Sequence, residues 1–113
     1  SPIKKEITLD VNNALRYFYS MILSFSCKET EKLAGGRFSR KLPTAIQRIA
    51  ARKLKLLNDS VELNDLRVPP ANRLEALKGI RKGQHSIRIN DQWRICFRWH
   101  KGNASDVEIV DYH

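Results

Sequence analysis

An alternating stretch near the carboxyl end, "GQHSIRINDQWRICFRWH" (residues 83–100), sets the tightest limit on the fold. Side chains of a β-strand point alternately to opposite faces, so Ile87 and Ile89 share a face in one half, and Trp93 and Ile95 share one in the other. A loop of three residues pairs Ile89 with Trp93 and Ile87 with Ile95, whereas a loop of two would mix apolar and polar side chains. This register predicts an antiparallel hairpin with one apolar face and one basic face.

The basic face of the predicted hairpin carries arginines across from one another. The same register places Arg88 opposite Arg94, with Arg98 further along that face. Like charges directly opposite in a sheet are destabilising. We therefore interpret this face as open and phosphate-binding, the alternative being three arginines that only keep an exposed face soluble.

Apolar spacing in the first half of the chain predicts two helices. A short helix suits residues 28–34, and a longer one begins at Pro43 and runs towards Asn58, with apolar residues at three-and-four spacing. Arg48, Arg52 and Lys55 form a basic row elsewhere on the second helix, and such a row is more often solvated than a binding surface.

Short strands are predicted around the hairpin, at residues 21–25, 73–77 and 107–110. One helical turn is expected near 63–66, and Pro69-Pro70 favours an extended connection. Helices followed by a meander of strands predict an α+β fold, in which a small antiparallel-rich sheet has two N-terminal helices packed on one face.

The amino-terminal region is predicted to lie outside this domain. Residues 1–20 are interpreted as an N-terminal extension, and residues 21–113 as one domain beginning near the only methionine, Met21. Within the extension, Asp10 is expected to cap a short helix carrying Leu15, Phe18 and Tyr19.

Charge is the informative part of the composition. The 113 residues include 21 Lys and Arg against 12 Asp and Glu, a net charge of +9. Between Arg37 and Lys101 there are 16 basic and 5 acidic residues, 16 − 5 = +11. This excess indicates a polyanionic partner, nucleic acid first and an anionic membrane or acidic protein second.

The same sequence excludes several classes of protein. Cys27 and Cys96 lack metal-ligand spacing, so neither a metal, a disulfide framework nor a cofactor is predicted. No apolar run approaches the length that spans a membrane, and no signal peptide is visible. We therefore expect a cytoplasmic protein with no membrane partner.

Cleavage of RNA through attack by its own 2′-hydroxyl requires more than a basic face. A base must take the hydroxyl proton, an acid must protonate the leaving oxygen, and cations must hold the charge on phosphorus. A tyrosine can also stack on a base. The residues of suitable type are Glu75 or a lysine as base, Tyr112 or His113 as acid, and Lys78, Arg88 and Arg94 as cations.

Three motifs, "NRLEALKG", "GQHSIRINDQWRICFRW" and "DVEIVDYH", together resemble the HigB branch of the RelE/ParE toxin superfamily, the plasmid-killer type of toxin–antitoxin system. The resemblance covers about residues 21–113 and is strongest over the last forty. It implies a RelE-like fold and ribosome-dependent cleavage of messenger RNA in the A site, in the bacterial cytoplasm. It also implies a HigA-like helix-turn-helix antitoxin, and operator DNA bound only by the toxin–antitoxin complex.

The resemblance implies particular site residues, at Lys78, Arg94 and the terminal Asp111, Tyr112 and His113. Glu75 stands where better-known HigB toxins carry a histidine, so the role of base would be reassigned. Ile80 replaces a usual acidic residue, which makes its loop more basic. The predicted catalytic set is Glu75, Lys78, Arg94, Tyr112 and His113, and the predicted RNA- or phosphate-binding set is Arg81, Lys82, Arg88, Arg98 and Asp111.

Two alternatives stay open from the sequence. One is a toxin of ParE type that inhibits DNA gyrase, although such a protein would not need Lys78, Arg94, Tyr112 and His113 together. The other is a catalytically inactive module that binds nucleic acid or antitoxin, for which Glu75 is the best argument.

Overall fold

A computed structural model describes residues 6–9, 15–18 and 22–112, with backbone alone for the first two ranges. Two helices, α1 (Lys28–Ala34) and α2 (Thr44–Asp59), precede the main sheet. A separate antiparallel pair is formed by β1 (Glu6–Leu9) and β2 (Leu15–Phe18). The main antiparallel sheet has the order β3-β4-β5-β6, with strands Glu75–Ala76, His85–Arg88, Trp93–His100 and Asn103–Asp111. The predicted α+β fold is confirmed.

The hairpin of β4 and β5 has the predicted register. Ile87 pairs with Ile95, and Arg88 pairs with Arg94. The backbone N–H of Ile89 donates to the carbonyl of Trp93 at 2.8 Å, which leaves three residues in the loop. The sorting of apolar from basic side chains therefore fixes the pairing, as expected from the period of two.

The helices cover the apolar face of the sheet. Ile46, Ala50, Leu54 and Leu57 of α2 are buried in one core with Ile87, Ile95 and Phe97 of the sheet. The Thr30 hydroxyl of α1 accepts a hydrogen bond of 2.9 Å from the backbone N–H of Ile109. Two helices on one face leave the opposite face available for a site.

The closing strand is longer than the predicted 107–110. A tight turn at Lys101 and Gly102, both at positive φ, starts β6 at once; two positive φ angles match the twist of a hairpin. Asp106, at φ +51°, lies where the β5–β6 register shifts by one residue, which marks a bulge in β6.

The predicted first strand, 21–25, is replaced in the described residues by two isolated bridges. Ile22 and Phe25 form isolated parallel bridges to Ala104 and Val107 of β6. Met21 lies outside the described residues. The segment therefore runs along the edge of the sheet instead of forming a regular strand.

The helix predicted within the extension is wrong. Leu15 and Phe18 lie on strand β2, which pairs antiparallel with β1. A single short helix is marginal in water, and the aromatic and β-branched residues of these segments favour strands. Asp10 and Tyr19 lie outside the described residues.

The segment before β3 also differs from the prediction. A 3-10 turn at Leu63–Arg67 confirms the expected helical turn, but Pro70–Asn72 forms a second 3-10 turn where an extended connection was expected. Arg73, at φ +46°, then breaks the chain direction, so the strand predicted over 73–77 shortens to Glu75–Ala76.

Candidate active site around Arg94

Arg94 of β5 is buried, although it lies on the face predicted to be open. Only 8% of the residue is exposed. Its Nε donates to Ser86 Oγ at 2.7 Å, and its Nη2 donates to the Arg73 carbonyl at 2.6 Å and lies 2.9 Å from Glu75 Oε1. The prediction of a fully open basic face is therefore wrong in the middle, because Ser86, the Arg73 carbonyl and Glu75 contact the Arg94 guanidinium. The three contacts compensate the buried charge and fix the guanidinium group.

Tyr112 lies on the other side of Arg94. The guanidinium carbon is 5.9 Å from the centre of the Tyr112 ring, a cation–π contact, and the tyrosine is 41% exposed. The backbone N–H of Tyr112 donates to the Gln92 carbonyl at 2.6 Å, while Gln92 Nε2 donates to Asp111 Oδ2 at 3.1 Å. The loop of the hairpin thus holds residues 111 and 112 against the site. His113 lies outside the described residues.

A cleft of about 430 Å³ opens beside this arrangement. Val110, which pairs with Arg94 across the sheet, forms part of its floor. The exposed Lys78 lies at the start of the 3-10 turn Gly79–Arg81 that forms one wall. The cleft is lined by Lys78, Ile80, Arg81, Val110, Asp111 and Tyr112.

Arg81 is held in the wall of the cleft. Its Nη2 lies 3.5 Å from Glu108 Oε1, and its Nη1 donates to Gln84 Oε1 at 3.0 Å. Cys96 is fully buried on the same sheet face, and burial raises the pKa of its thiol. A buried neutral thiol is inert, so it is no candidate nucleophile.

The remaining predicted phosphate-binding residues lie outside the cleft lining. Arg88 forms an ion pair with Asp91 in the hairpin loop, and Arg98 forms one with Asp106 at 3.3 Å. Lys82 is exposed after the 3-10 turn. The structure thus brings Glu75, Lys78, Arg81, Arg94, Asp111 and Tyr112 together, and leaves Arg88, Lys82 and Arg98 around the periphery.

Two groups that position Arg94 were missed from the sequence. Ser86 is fully buried and pairs with Cys96, which makes it a diagonal neighbour of Arg94 on the same face. The alternation of side chains along the two strands could have predicted this contact. The contact with the Arg73 carbonyl could not be predicted in this way, because nothing in the sequence indicates that an arginine adopts the left-handed conformation.

The described part of the chain contains no group of three or more His, Cys, Asp or Glu that could hold a metal ion. Among the described residues, no helix is long and apolar enough to cross a membrane.

A small antiparallel sheet with helices on one face and a cationic cleft on the other is the architecture of RelE-like toxins. The chain belongs to the HigB-like toxin family, since the model of that family, described as the RelE-like toxin of type II toxin–antitoxin system HigB, matches residues 24–113. Type II membership implies an antitoxin partner.

The sequence matches to two named relatives cover nearly all of each relative's length. Toxin HigB-1 of Vibrio cholerae is 40% identical over 90 residues, which are 79% of this chain and 95% of that protein. Endoribonuclease HigB of Proteus vulgaris is 32% identical over 94 residues, or 82% of this chain and 100% of the relative.

Proposed function

We propose that this chain is an endoribonuclease that cleaves messenger RNA in the ribosomal A site and so inhibits translation. The observation that carries the proposal is the fixation of Arg94 by Ser86, Arg73 and Glu75, beneath Tyr112 and beside the cleft. A pre-positioned cation next to an open cleft is what the charge developing on a phosphate requires. The relative named an endoribonuclease supports the class of reaction.

The reaction begins at the 2′-hydroxyl of the substrate. Glu75, whose side chain is 56% exposed, takes the hydroxyl proton. The 2′-oxygen then attacks phosphorus, and the bond to the 5′-oxygen of the next nucleotide breaks. The products are a 2′,3′-cyclic phosphate and a free 5′-hydroxyl.

Arg94 stabilises the phosphorane, since its position is set before substrate arrives. Lys78 and Arg81, which line the cleft, add positive charge around the same phosphate. Tyr112 offers its exposed ring to a base. His113 is assigned the role of acid that protonates the leaving 5′-oxygen.

The outer cations bind the flanking RNA backbone. Arg88, Lys82 and Arg98 surround the cleft residues and contact phosphates, while Asp111 orients the end of β6. The ribosome holds the messenger RNA in position at the cleft. A small cleft with few specific contacts needs a substrate that is positioned for it. Neutralisation falls to a HigA-like helix-turn-helix antitoxin, and operator DNA is bound only by the complex of the two.

The deciding experiment is induction of the chain in bacteria without its antitoxin, followed by mapping of transcript ends. Growth arrest with new ends inside translated codons supports the proposal. Arrest with intact transcripts and broken DNA would instead indicate gyrase inhibition, and no arrest from a folded chain would indicate an inactive binding module.

The role of Glu75 is tested separately by Glu75→Gln, which keeps a hydrogen-bond acceptor for Arg94 but cannot take a proton. We expect cleavage by purified protein on translating ribosomes to fall by about 10²-fold or more, the usual contribution of a general base. An unchanged rate would remove Glu75 from the mechanism and leave the remainder of the site intact.

A further inference from the structure

A rigid loop joins α1 to α2, on the helical side of the molecule. Fully buried Ser39 donates its hydroxyl hydrogen to Glu29 Oε1 at 2.5 Å and accepts hydrogen bonds from the backbone N–H groups of Lys41 and Leu42. Gln47 of α2 accepts from the Ser39 N–H at 3.0 Å and donates to the Ser39 carbonyl at 2.7 Å. The backbone of the loop is therefore fixed by buried side chains at its centre.

This fixed backbone points four neighbouring side chains outwards. Phe38 is 61% exposed, a high value for a large apolar residue. Arg37, Arg40 and Lys41 are exposed around it. An aromatic ring flanked in sequence by cations is thus presented to solvent by a hydrogen-bonded loop.

The exposed face of α2 continues the positive charge. Arg48 and Arg52 are one turn apart, about 6 Å along the axis, and both are exposed. From Arg37 to Lys55 the sequence holds seven basic residues and no acidic one. Exposed basic residues therefore extend from the loop into α2.

The arginines of this surface lack counter-charges in the described structure. Among residues 22–112, no carboxylate lies within ion-pair distance of Arg37, Arg40, Arg48 or Arg52. As far as residues 22–112 are concerned, these charges are available to an anionic partner, because no ion pair within that range has to be broken first.

We infer that Arg37, Phe38, Arg40, Arg48 and Arg52, here called the helical-side surface, dock the toxin on ribosomal RNA, on the opposite side of the sheet from the cleft. The identity of the RNA rests on the proposed ribosome-dependent function. The arginines contact phosphates, and Phe38 stacks on an exposed base. RNA supplies phosphates for the arginines and exposed bases for Phe38 in one polymer, whereas an acidic protein would have to place an apolar pocket beside its carboxylates.

The test is binding to purified bacterial ribosomes over a salt series. The matched pair of variants is Arg48→Gln/Arg52→Gln on the surface and Arg67→Gln/Lys101→Gln elsewhere, which remove the same charge from exposed positions. For the surface variant, the magnitude of the slope of log affinity against log salt should fall by about 1.5, since each of the two lost phosphate contacts removes about 0.7 to 0.9. The control should bind like the wild type.

Phe38→Ala separates stacking from charge. It should weaken ribosome binding about fivefold or more while leaving the salt slope unchanged, because stacking on a base does not release counterions. Thermal unfolding of each variant is measured in parallel, and an unchanged midpoint assigns a binding loss to the surface. If Phe38→Ala unfolds early, Phe38→Tyr, which keeps the ring, must bind normally for the inference to stand.

Binding and cleavage fail independently in this design. Wild-type affinity in both surface variants, with cleavage intact, would overturn the inference and leave the proposed function standing. Loss of antitoxin binding with unchanged ribosome binding would also overturn it, and would assign the surface to an acidic protein. Ribosome binding that depends on the surface, but without any RNA cleavage, would support the inference and refute the proposed function.

Discussion

Arginines on the two sides of the sheet differ in whether they have an ion-pair partner. On the cleft side, Arg81, Arg88, Arg94 and Arg98 each have a carboxylate partner. On the helical side, Arg37, Arg40, Arg48 and Arg52 have none among residues 22–112. A carboxylate partner fixes the position of a cation, whereas a cation without such a partner leaves its positive charge uncompensated and attracts anions from solution. The cleft side therefore holds its cations in fixed positions, whereas the helical side carries cations that can attract an anionic partner.

Burial sharpens this contrast. The Arg94 guanidinium is nearly enclosed, so loss of a partner leaves a buried charge uncompensated, which is strongly destabilising. The exposed arginines of α2 carry no such penalty. Substitutions should therefore alter chemistry and stability on one side, and affinity alone on the other.

The largest effect is expected from Arg94→Lys. Lysine keeps the charge but cannot reach Ser86, the Arg73 carbonyl and Glu75 together, so the fixed cation is lost. Cleavage on translating ribosomes should fall by about 10²- to 10³-fold. Arg88→Lys is the control on the same face and should cost only a few-fold, with circular dichroism confirming that both are folded. Equal losses in the two variants would contradict a special role for Arg94.

A smaller loss is expected from Ser86→Ala. This change removes the acceptor of the buried Arg94 Nε, which costs about 1–3 kcal/mol of stability and loosens the guanidinium. The turnover rate should fall about tenfold while ribosome affinity is kept, since the helical side is untouched. Ser86→Thr retains the hydroxyl and should restore the rate. Failure of threonine to restore it in a folded variant would contradict positioning through the hydroxyl.

A third effect concerns stability and pH on the apolar face of the sheet. His85 stacks on Phe97 at 6.1 Å between ring centres, and its buried Nδ1 has no hydrogen-bond partner in the described structure. Burial lowers the pKa of His85 below its ordinary value of 6.5. The unfolded chain therefore takes up the proton first, so stability is lost as the pH falls below about 6.5.

Urea unfolding between pH 7.5 and 5 measures this loss. In His85→Gln the part of the pH dependence that comes from His85 should disappear, while His100→Gln at an exposed strand end serves as the control. An unchanged pH dependence in His85→Gln would show that other groups cause it.

The smallest effect is expected from Asp106→Asn, which converts one paired arginine of the cleft side into an unpaired one. The Arg98–Asp106 pair is half-exposed, and asparagine tolerates the positive φ at this position, so stability should change by less than about 0.5 kcal/mol. Freed Arg98 should steepen the salt dependence of ribosome binding by less than about 1. A shallower salt dependence would contradict the idea that the pair restrains Arg98.

The fold was predictable from the sequence where periodicity is strong. The hairpin register followed from alternation between Ile87 and Trp99, and α1 and α2 followed from apolar spacing and flanking residues. The helix expected around Leu15 failed because a segment of four residues carries too little pattern to distinguish helix from strand.

The site was predictable in residue type but not in burial. Alternation places Arg94 on the basic face, yet its contacts with the Arg73 carbonyl and Glu75 depend on the left-handed Arg73 and the short strand at Glu75, which are consequences of tertiary packing. One of the ion pairs that offset the neighbouring arginines also joins residues distant in sequence, Arg81 and Glu108. Long-range partners of this kind leave no local signal.

The contacts of Arg94 also limit how early its surroundings can assemble during synthesis of the chain. The guanidinium meets groups from residues 73, 75, 86 and 112, so its environment is incomplete until the last of them has left the ribosome. The helices α1 and α2, complete by Asp59, emerge earlier, but their apolar faces pack on strands that come later in the chain. The surroundings of Arg94 are therefore among the last parts of this domain to be completed.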